Sequence, residues 1–422
     1  MSHAATGYRP LLHTPGAAAF FLAAAVGRAG IAMTGLGLVW LLHSRTGSYG
    51  TAGLAAAGFS LAEALIGPNL ARLVDRFGQT RVLPFSLLAH GAAIAGVLAS
   101  TTPAASITAA TCAGAFVPQL GALSAARWAH LLRAERAGEL PTAFSLESLA
   151  NAATFLLGPV LVSSLGAAGD APLASIIAVT LILGGGAALA AQRRTAPPPA
   201  REHTERAGRT LRQPTFLLLA LLNLAIGLYF GTMGISVSSF AISHGVPGAA
   251  AAIFAASGLS GVLSGWLYGL RRHPAPARRQ LVIATAYLTS ASLLLPFAPS
   301  AVWLGAAVAV TEAAVPPTLA LLNVLTEKAV HPAVLTQAFT WNNSASAAGL
   351  ALAGSLAGRA ADAWGASAAL AQAPAAGLVL LTLSLVLSRP LRHQDHDDEL
   401  PARRGRRKRA ALQEPGMSLT EE

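Results

Sequence analysis

Residues 67–83 read GPNLARLVDRFGQTRVL. The run before it, 50–66, carries one charged side chain, Glu63, and the run after it, 84–99, carries none. Arg72, Asp75, Arg76 and Arg81 crowd the join, with Gly78 among them. Gly78 permits a sharp reversal, because a residue without Cβ adopts backbone angles that other residues avoid. Two long apolar runs joined by a tight basic turn read as two helices that cross a bilayer and return.

The rest of the chain agrees with that reading. Hydrophobic residues make up 54% of 422, charged residues 11%, and the mean hydropathy is +0.55. A water-soluble chain carries roughly 25% charge. Too few charges are present to cover a soluble surface, so lipid must cover it. The net charge of +11 sits in short clusters between apolar runs and accompanies no nucleic-acid motif, so nucleic acid is not expected as a partner. The single cysteine, Cys112, forms no intrachain disulfide and rules out a cysteine zinc site. The first apolar run continues from Gly16 to Leu42, too long for the core of a cleaved leader, and none is expected.

Apolar runs of 18 or more residues are candidate transmembrane helices. Twelve are predicted, near 17–42, 50–71, 82–101, 104–126, 141–166, 171–191, 214–240, 246–270, 280–298, 301–325, 335–357 and 366–388. With the N-terminus inside, only Arg45 and Arg359 of the 29 basic residues fall in outside loops, and only Arg28 falls within a span. Basic residues favour the cytoplasmic side, so both termini are expected there, in a plasma or inner membrane. The linker QRRTAPPPAREHTERAGRTLRQ, 192–213, divides the spans six and six. The expected organisation is an N-terminal bundle at 1–191, that linker, a C-terminal bundle at 214–388 and a disordered cytoplasmic tail at 389–422. Within the tail, His393, Asp395, His396, Asp397 and Asp398 read as solvated chain rather than a metal site. The basic run 403–409 suits either anionic lipid or a plain topology signal.

The halves repeat one another. SGWLYGLRRHPAPARRQL, 264–281, closes the eighth span much as the opening stretch closes the second, and repeated halves are common in secondary transporters. Residues 71–81 resemble the loop between helices 2 and 3 of the major facilitator superfamily, Gly-x-Leu-x-Asp-Arg-x-Gly followed by basic residues. Leu73, Asp75, Arg76 and Gly78 match; Ala71 stands for the first glycine, Gln79 and Thr80 stand for basic residues, and Arg81 restores one charge. Phe155 to Pro159 in the fifth span resembles the Gly-Pro element of antiporter-type members, although most of that motif's other glycines are missing. Gly158 suits close helix packing and Pro159 a kink. Gly349, Ala353, Gly354 and Gly358 form a small-residue stripe in the eleventh span. The resemblance implies an all-α membrane protein of two six-helix bundles related by a pseudo-two-fold axis, and it covers about 16–390. It also implies that Arg72, Asp75, Arg76, Gly78 and Arg81 act as a gating latch. For Asp75 the partner is either a nearby arginine or a helix N-terminus.

Ionisable residues inside spans are expensive and mark functional sites. Four stand out: Arg28, Glu63, Glu147 and Glu312. Arg28 lies roughly 16 Å and Glu63 roughly 13 Å from the inner ends of their spans. Glu63 is therefore the first expected partner of Arg28 and Glu147 the second. Burial raises a carboxylate's pKa and a neighbouring arginine lowers it, a balance that suits proton coupling. Glu312 has no basic residue at its depth and precedes a predicted kink at Pro316 and Pro317, which suggests a cavity position. Gln119, Asn223, Tyr229, Asn342 and Asn343 are substrate-cavity candidates, each equally readable as a helix-to-helix contact.

No Walker loop, HExxH or GxSxG motif is present, so an enzyme is not expected, and neither a cofactor nor a metal is implied. The expected function is secondary active transport of a small organic molecule, by alternating access and coupled to protons. The partial fifth-span resemblance favours efflux, and the protein is expected to act as a monomer. The alternatives are proton-symport uptake of a sugar or other metabolite, or a non-transporting sensor or scaffold.

Overall fold

The computed structural model describes residues 8–389 apart from 168, 200–203, 247 and 272–273. The histidine–aspartate cluster and the basic run of the tail lie outside the described residues. Helices make up the fold. A short α1 (Tyr8–Leu12) leads into α2 (Ala17–Thr46), α3 (Tyr49–Phe77), α4 (Gln79–Ala99), α5 (Pro103–Ala115), α6 (Leu120–Leu131), α7 (Leu140–Ala167) and α8 (Ala171–Ala191). After α9 (Thr204–Arg209) in the linker come α10 (Pro214–Ser243), α11 (Ala249–Leu270), α12 (Ala277–Ser292), α13 (Ala301–Glu312), α14 (Val315–Ala329), α15 (Leu335–Trp364), α16 (Ala366–Leu370) and α17 (Gln372–Ser388).

Local chemistry sets the helix ends and breaks. The Ser48 hydroxyl accepts from the Thr51 N–H at 3.2 Å and caps α3, while the Thr102 hydroxyl caps α5 through the Ala105 N–H at 3.3 Å. The fourth predicted span divides into α5 and α6 around Pro118, and the tenth divides into α13 and α14 just ahead of Pro316 and Pro317. Proline lacks the N–H that would continue the ladder. In the fifth, α7 stays helical through Pro159.

Eleven segments among the described residues are long and apolar enough to cross a membrane. The twelfth expected span is α15, which has 30 residues but falls short in hydropathy. Its first turns carry Gln337, Thr340, Asn342, Asn343 and Ser344. Thr336, Thr340 and Asn342 are buried against protein, so this helix does not depend on lipid to solvate those groups. Elsewhere large apolar side chains face outward, among them Leu88 at 75% and Val302 at 85% exposure, as a lipid-facing surface requires.

Helix pairing repeats along the chain. In the first half α2 packs on α7 and α8, α3 on α5, and α4 on α5 and α8. In the second half α10 packs on α15 and α17, α11 on α13, and α12 on α14 and α17. Contacts between the halves are paired the same way: α3 with α15 mirrors α11 with α7, and α6 with α15 mirrors α14 with α7. This is the pairing that a pseudo-two-fold axis generates. The α10–α15 contact is the closest kind, since a Cβ on Gly227 would overlap the Ser346 carbonyl and one on Gly349 would overlap that of Leu224. Without a hydrophobic force between helices in lipid, such backbone approach drives association.

Candidate functional site

Two groups of polar residues stand out: a seam where the halves meet, and ionisable residues inside the spans of each half.

The seam contains the opening motif. Gly78 ends α3 and starts α4 with φ of +92°, and its N–H reaches the Val74 carbonyl at 2.8 Å. That φ favours glycine. The turn places Asp75 on the last turn of α3, where its Oδ2 accepts the backbone N–H of Gln337 at 2.9 Å. Gln337 sits in the first turn of α15, a helix whose own N-cap residue, Val334, has no side chain able to accept. Asp75 thus caps the partner half's helix from across the seam, the second of the two partners the sequence allowed. Arg72, Arg76 and Arg81 are exposed, and among the described residues none pairs with Asp75. Arg76 instead lies over the Phe77 ring at 5.1 Å.

The seam continues at α7 and α11. Ser145 donates to the Gly265 carbonyl at 2.5 Å, and Thr142 to that of Gly269 at 3.0 Å. Tyr8 on α1 wedges in beside them, donating to the carbonyls of Gly265 at 3.0 Å and Trp266 at 3.1 Å. Burial pushes the Tyr8 phenol above its ordinary value. The linker side adds a bond from the His331 N–H to the Thr210 hydroxyl at 3.2 Å. Among the described residues the hydrogen bonds between the halves all gather at one end, the end that carries the Asp75 turn, and the linker's bond to His331 lies there too.

The buried charges differ from the expected pairing. Arg28 does not meet Glu63; its Nη1 donates to Glu147 Oε2 at 2.6 Å. The second choice is the real one because the Arg28 face of α2 packs on α6 and α7. Glu63, on α3, turns instead toward the α5–α6 break. Glu147 Oε1 accepts from Ser124 Oγ at 2.5 Å and from Trp128 Nε1 at 2.8 Å. Both ions are buried, with side chains 10% and 5% exposed. Gly121 leaves room for the arginine, as a Cβ there would sit 3.5 Å from Arg28 Cδ.

Glu63 faces Gln119 in the α5–α6 break, so two candidates from the sequence come together. A Cβ on Gly67, one turn further, would lie 3.2 Å from Gln119 Nε2 and 3.5 Å from Thr340 of α15, which places this group beside the other half. Glu312 ends α13 at the second broken span and interacts with Tyr229 of α10. It also lies against α11, where a Cβ on Gly261 would meet its Cγ at 3.6 Å. Neither Glu63 nor Glu312 forms an ion pair among the described residues. Asn342 ties α15 to α14 through the Thr326 hydroxyl at 2.8 Å, and Asn223 bonds its own helix at the Leu219 carbonyl, 2.8 Å. Asn343 is exposed. Gly158 lies against Ala32 of α2, 3.1 Å from where a Cβ would stand, a close approach of α7 to α2.

Arg127, expected in a cytoplasmic loop, is wholly buried. It donates to Gln79 Oε1 at 2.8 Å, to the Gln192 carbonyl at 2.9 Å, to Thr195 Oγ1 at 2.8 Å and to the Leu189 carbonyl at 2.9 Å. It thereby ties the Gly78 turn to the end of α8 and the start of the linker. Tyr8, Ser124 and Trp128 also went unread; no short motif marks them.

A profile described as the Major Facilitator Superfamily matches residues 20–354. The human organic anion transporter MFSD10 is similar in structure at 18% identity and a TM-score of 0.68, covering 87% of this chain and 98% of that one. A bacterial homologue of the iron transporter ferroportin in its outward-facing state is similar at 12% identity and a TM-score of 0.70, covering 88% and 99%. No curated protein sequence matches the chain. With the signature turn, the repeated helix pairing and a profile match over most of its length, this multi-pass membrane chain belongs to the Major Facilitator Superfamily.

Proposed function

We propose that the protein is a proton-coupled secondary transporter that exports a small organic molecule across a plasma or inner membrane, with both termini cytoplasmic. The observation that carries this reading is the one-ended seam. Hydrogen bonds between the halves gather around Asp75 and Gln337, while the half-buried carboxylates Glu63 and Glu312 lie away from them. Two halves fastened at one end and, among the described residues, free of such bonds at the other suit a rocking motion about a central site. The carboxylates supply groups that gain and lose a proton as access alternates. The charge-poor helices suit an organic solute, and the basic loops on the seam's side support reading that side as cytoplasmic. Uphill transport then draws on an ion gradient.

The test is a solute screen in inverted vesicles carrying an imposed pH gradient. At least one organic solute is expected to accumulate, and accumulation is expected to stop when a protonophore collapses the gradient. Accumulation that survives the collapse rules out proton coupling.

A further inference from the structure

Two arginines are buried in the first half, and they are satisfied differently. Arg127 places Nε, Nη1 and Nη2 all on acceptors, four in number, and so has a complete structural role. Arg28, only 8% exposed, places Nη1 on Glu147, while Nε and Nη2 have no hydrogen-bond partner. Those two nitrogens are not scattered. On a planar guanidinium, Nε–H and the Nη2–H beside it form one edge with parallel donors, spaced to meet both oxygens of a carboxylate. Buried polar groups in folded proteins are nearly always hydrogen-bonded, so an unpartnered pair on one edge points to a ligand.

The surroundings hold that edge in place. Glu147 is fixed from its other oxygen by Ser124 and Trp128, so it clamps Arg28 through Nη1 and leaves the opposite edge enclosed between the helices without an acceptor. Gly121 puts no side chain against the guanidinium stem. The fourth and fifth spans, which supply these residues, are also helices that meet the other half. Glu147 already balances the charge of Arg28, so what the free edge selects is shape, a flat pair of acceptors, set among apolar helices.

We propose that the free edge of Arg28 docks the carboxylate of the transported solute, which makes the substrate class organic carboxylates. This inference rests on the transporter reading above and narrows it.

The experiment titrates the purified full chain with matched pairs, benzoate against benzamide and octanoate against octanamide, by calorimetry. At least one carboxylate is expected to bind roughly ten-fold or more tightly than its amide, since only the carboxylate offers two equivalent acceptors. Arg28→Lys keeps the charge but loses the parallel donors, and is expected to lose about ten-fold of that affinity while the amides are unaffected. Equal binding within each pair overturns the proposal, as does binding of neither member or unchanged carboxylate affinity in a well-folded Arg28→Lys chain. Inorganic phosphate is the third arm, and tighter binding of phosphate than of any carboxylate also overturns it. The comparison within pairs uses the unsubstituted chain, so a misfolded variant does not blunt the test. Proton-driven transport of other solutes with no carboxylate preference removes this inference alone, whereas loss of all gradient-driven transport removes the wider reading.

Discussion

The carboxylate of Asp75 caps α15 from across the molecule, accepting the Gln337 N–H at 2.9 Å. The bond joins an acid at the end of one helix to the positive end of another, and such contacts contribute roughly 0.3–2 kcal/mol. Asp75→Asn keeps the size and loses the charge. It is expected to shift the population toward opening at this end by several-fold. Labelling of a cysteine introduced at Thr142, in a chain with Cys112 replaced, measures this with a membrane-impermeant maleimide. An unchanged labelling rate would mean that the cap does not hold the seam.

Arg28 and Glu147 make a second prediction. Removing one member of a buried pair strands the other and costs about 3–5 kcal/mol, while replacing both with apolar groups is often neutral. Glu147→Gln should therefore lower the melting temperature in detergent more than the double change Arg28→Met with Glu147→Gln, which leaves no stranded charge and keeps an oxygen for Ser124 and Trp128. Equal losses would show that the pair is not electrostatically coupled. The double change is also expected to abolish carboxylate binding.

Tyr8 pins α1 to the end of α11. Tyr8→Phe removes a hydroxyl that meets two carbonyls, a loss of about 1 kcal/mol. Modestly faster maleimide labelling at Thr142 is expected. Burial raises the phenol above 10.0, so the folded state favours the protonated form. The stability this supplies is present below the unfolded value and is lost as pH rises through the folded one. The difference between Tyr8 and Phe should accordingly stay constant from about pH 5 to 8. A difference that varies across that range would point to some other titrating group.

Glu63 and Glu312 carry the coupling prediction. Glu63→Gln or Glu312→Gln is expected to abolish accumulation driven by a pH gradient while leaving solute exchange between equal concentrations intact. Full gradient-driven accumulation by both variants would remove these carboxylates from the proton path.

Gly78 tests the turn itself. At φ of +92°, Gly78→Ala forces a side chain into a backbone region that costs of order 1–3 kcal/mol. A lower melting temperature and reduced transport are expected, and unaltered stability would show that the turn relaxes without penalty.

Much of this was legible in the sequence because bilayer physics is one-dimensional. A run of apolar residues long enough to span lipid announces a helix wherever it stands, and a basic turn such as 71–81 announces a join. The α15 segment marks the boundary of that logic: its polar first turns weaken the apolar signal, and only burial against other helices accounts for them. Pro316 and Pro317 foretold a disturbance in the tenth span, and the break between α13 and α14 falls just ahead of them.

Partnerships were less legible. Depth along a helix can be counted from its sequence, and by that measure Arg28 and Glu63 matched. Which way a side chain faces depends on how the helix is rotated against its neighbours, and that is set by packing contacts made by residues far away. The sequence by itself determined the helices, the signature turn at Gly78 and the family, because these rest on local hydropathy and backbone conformation. Only the tertiary structure decided that Arg28 meets Glu147, that Asp75 caps α15 and that Arg127 lies buried, because each depends on the angular register of packed helices.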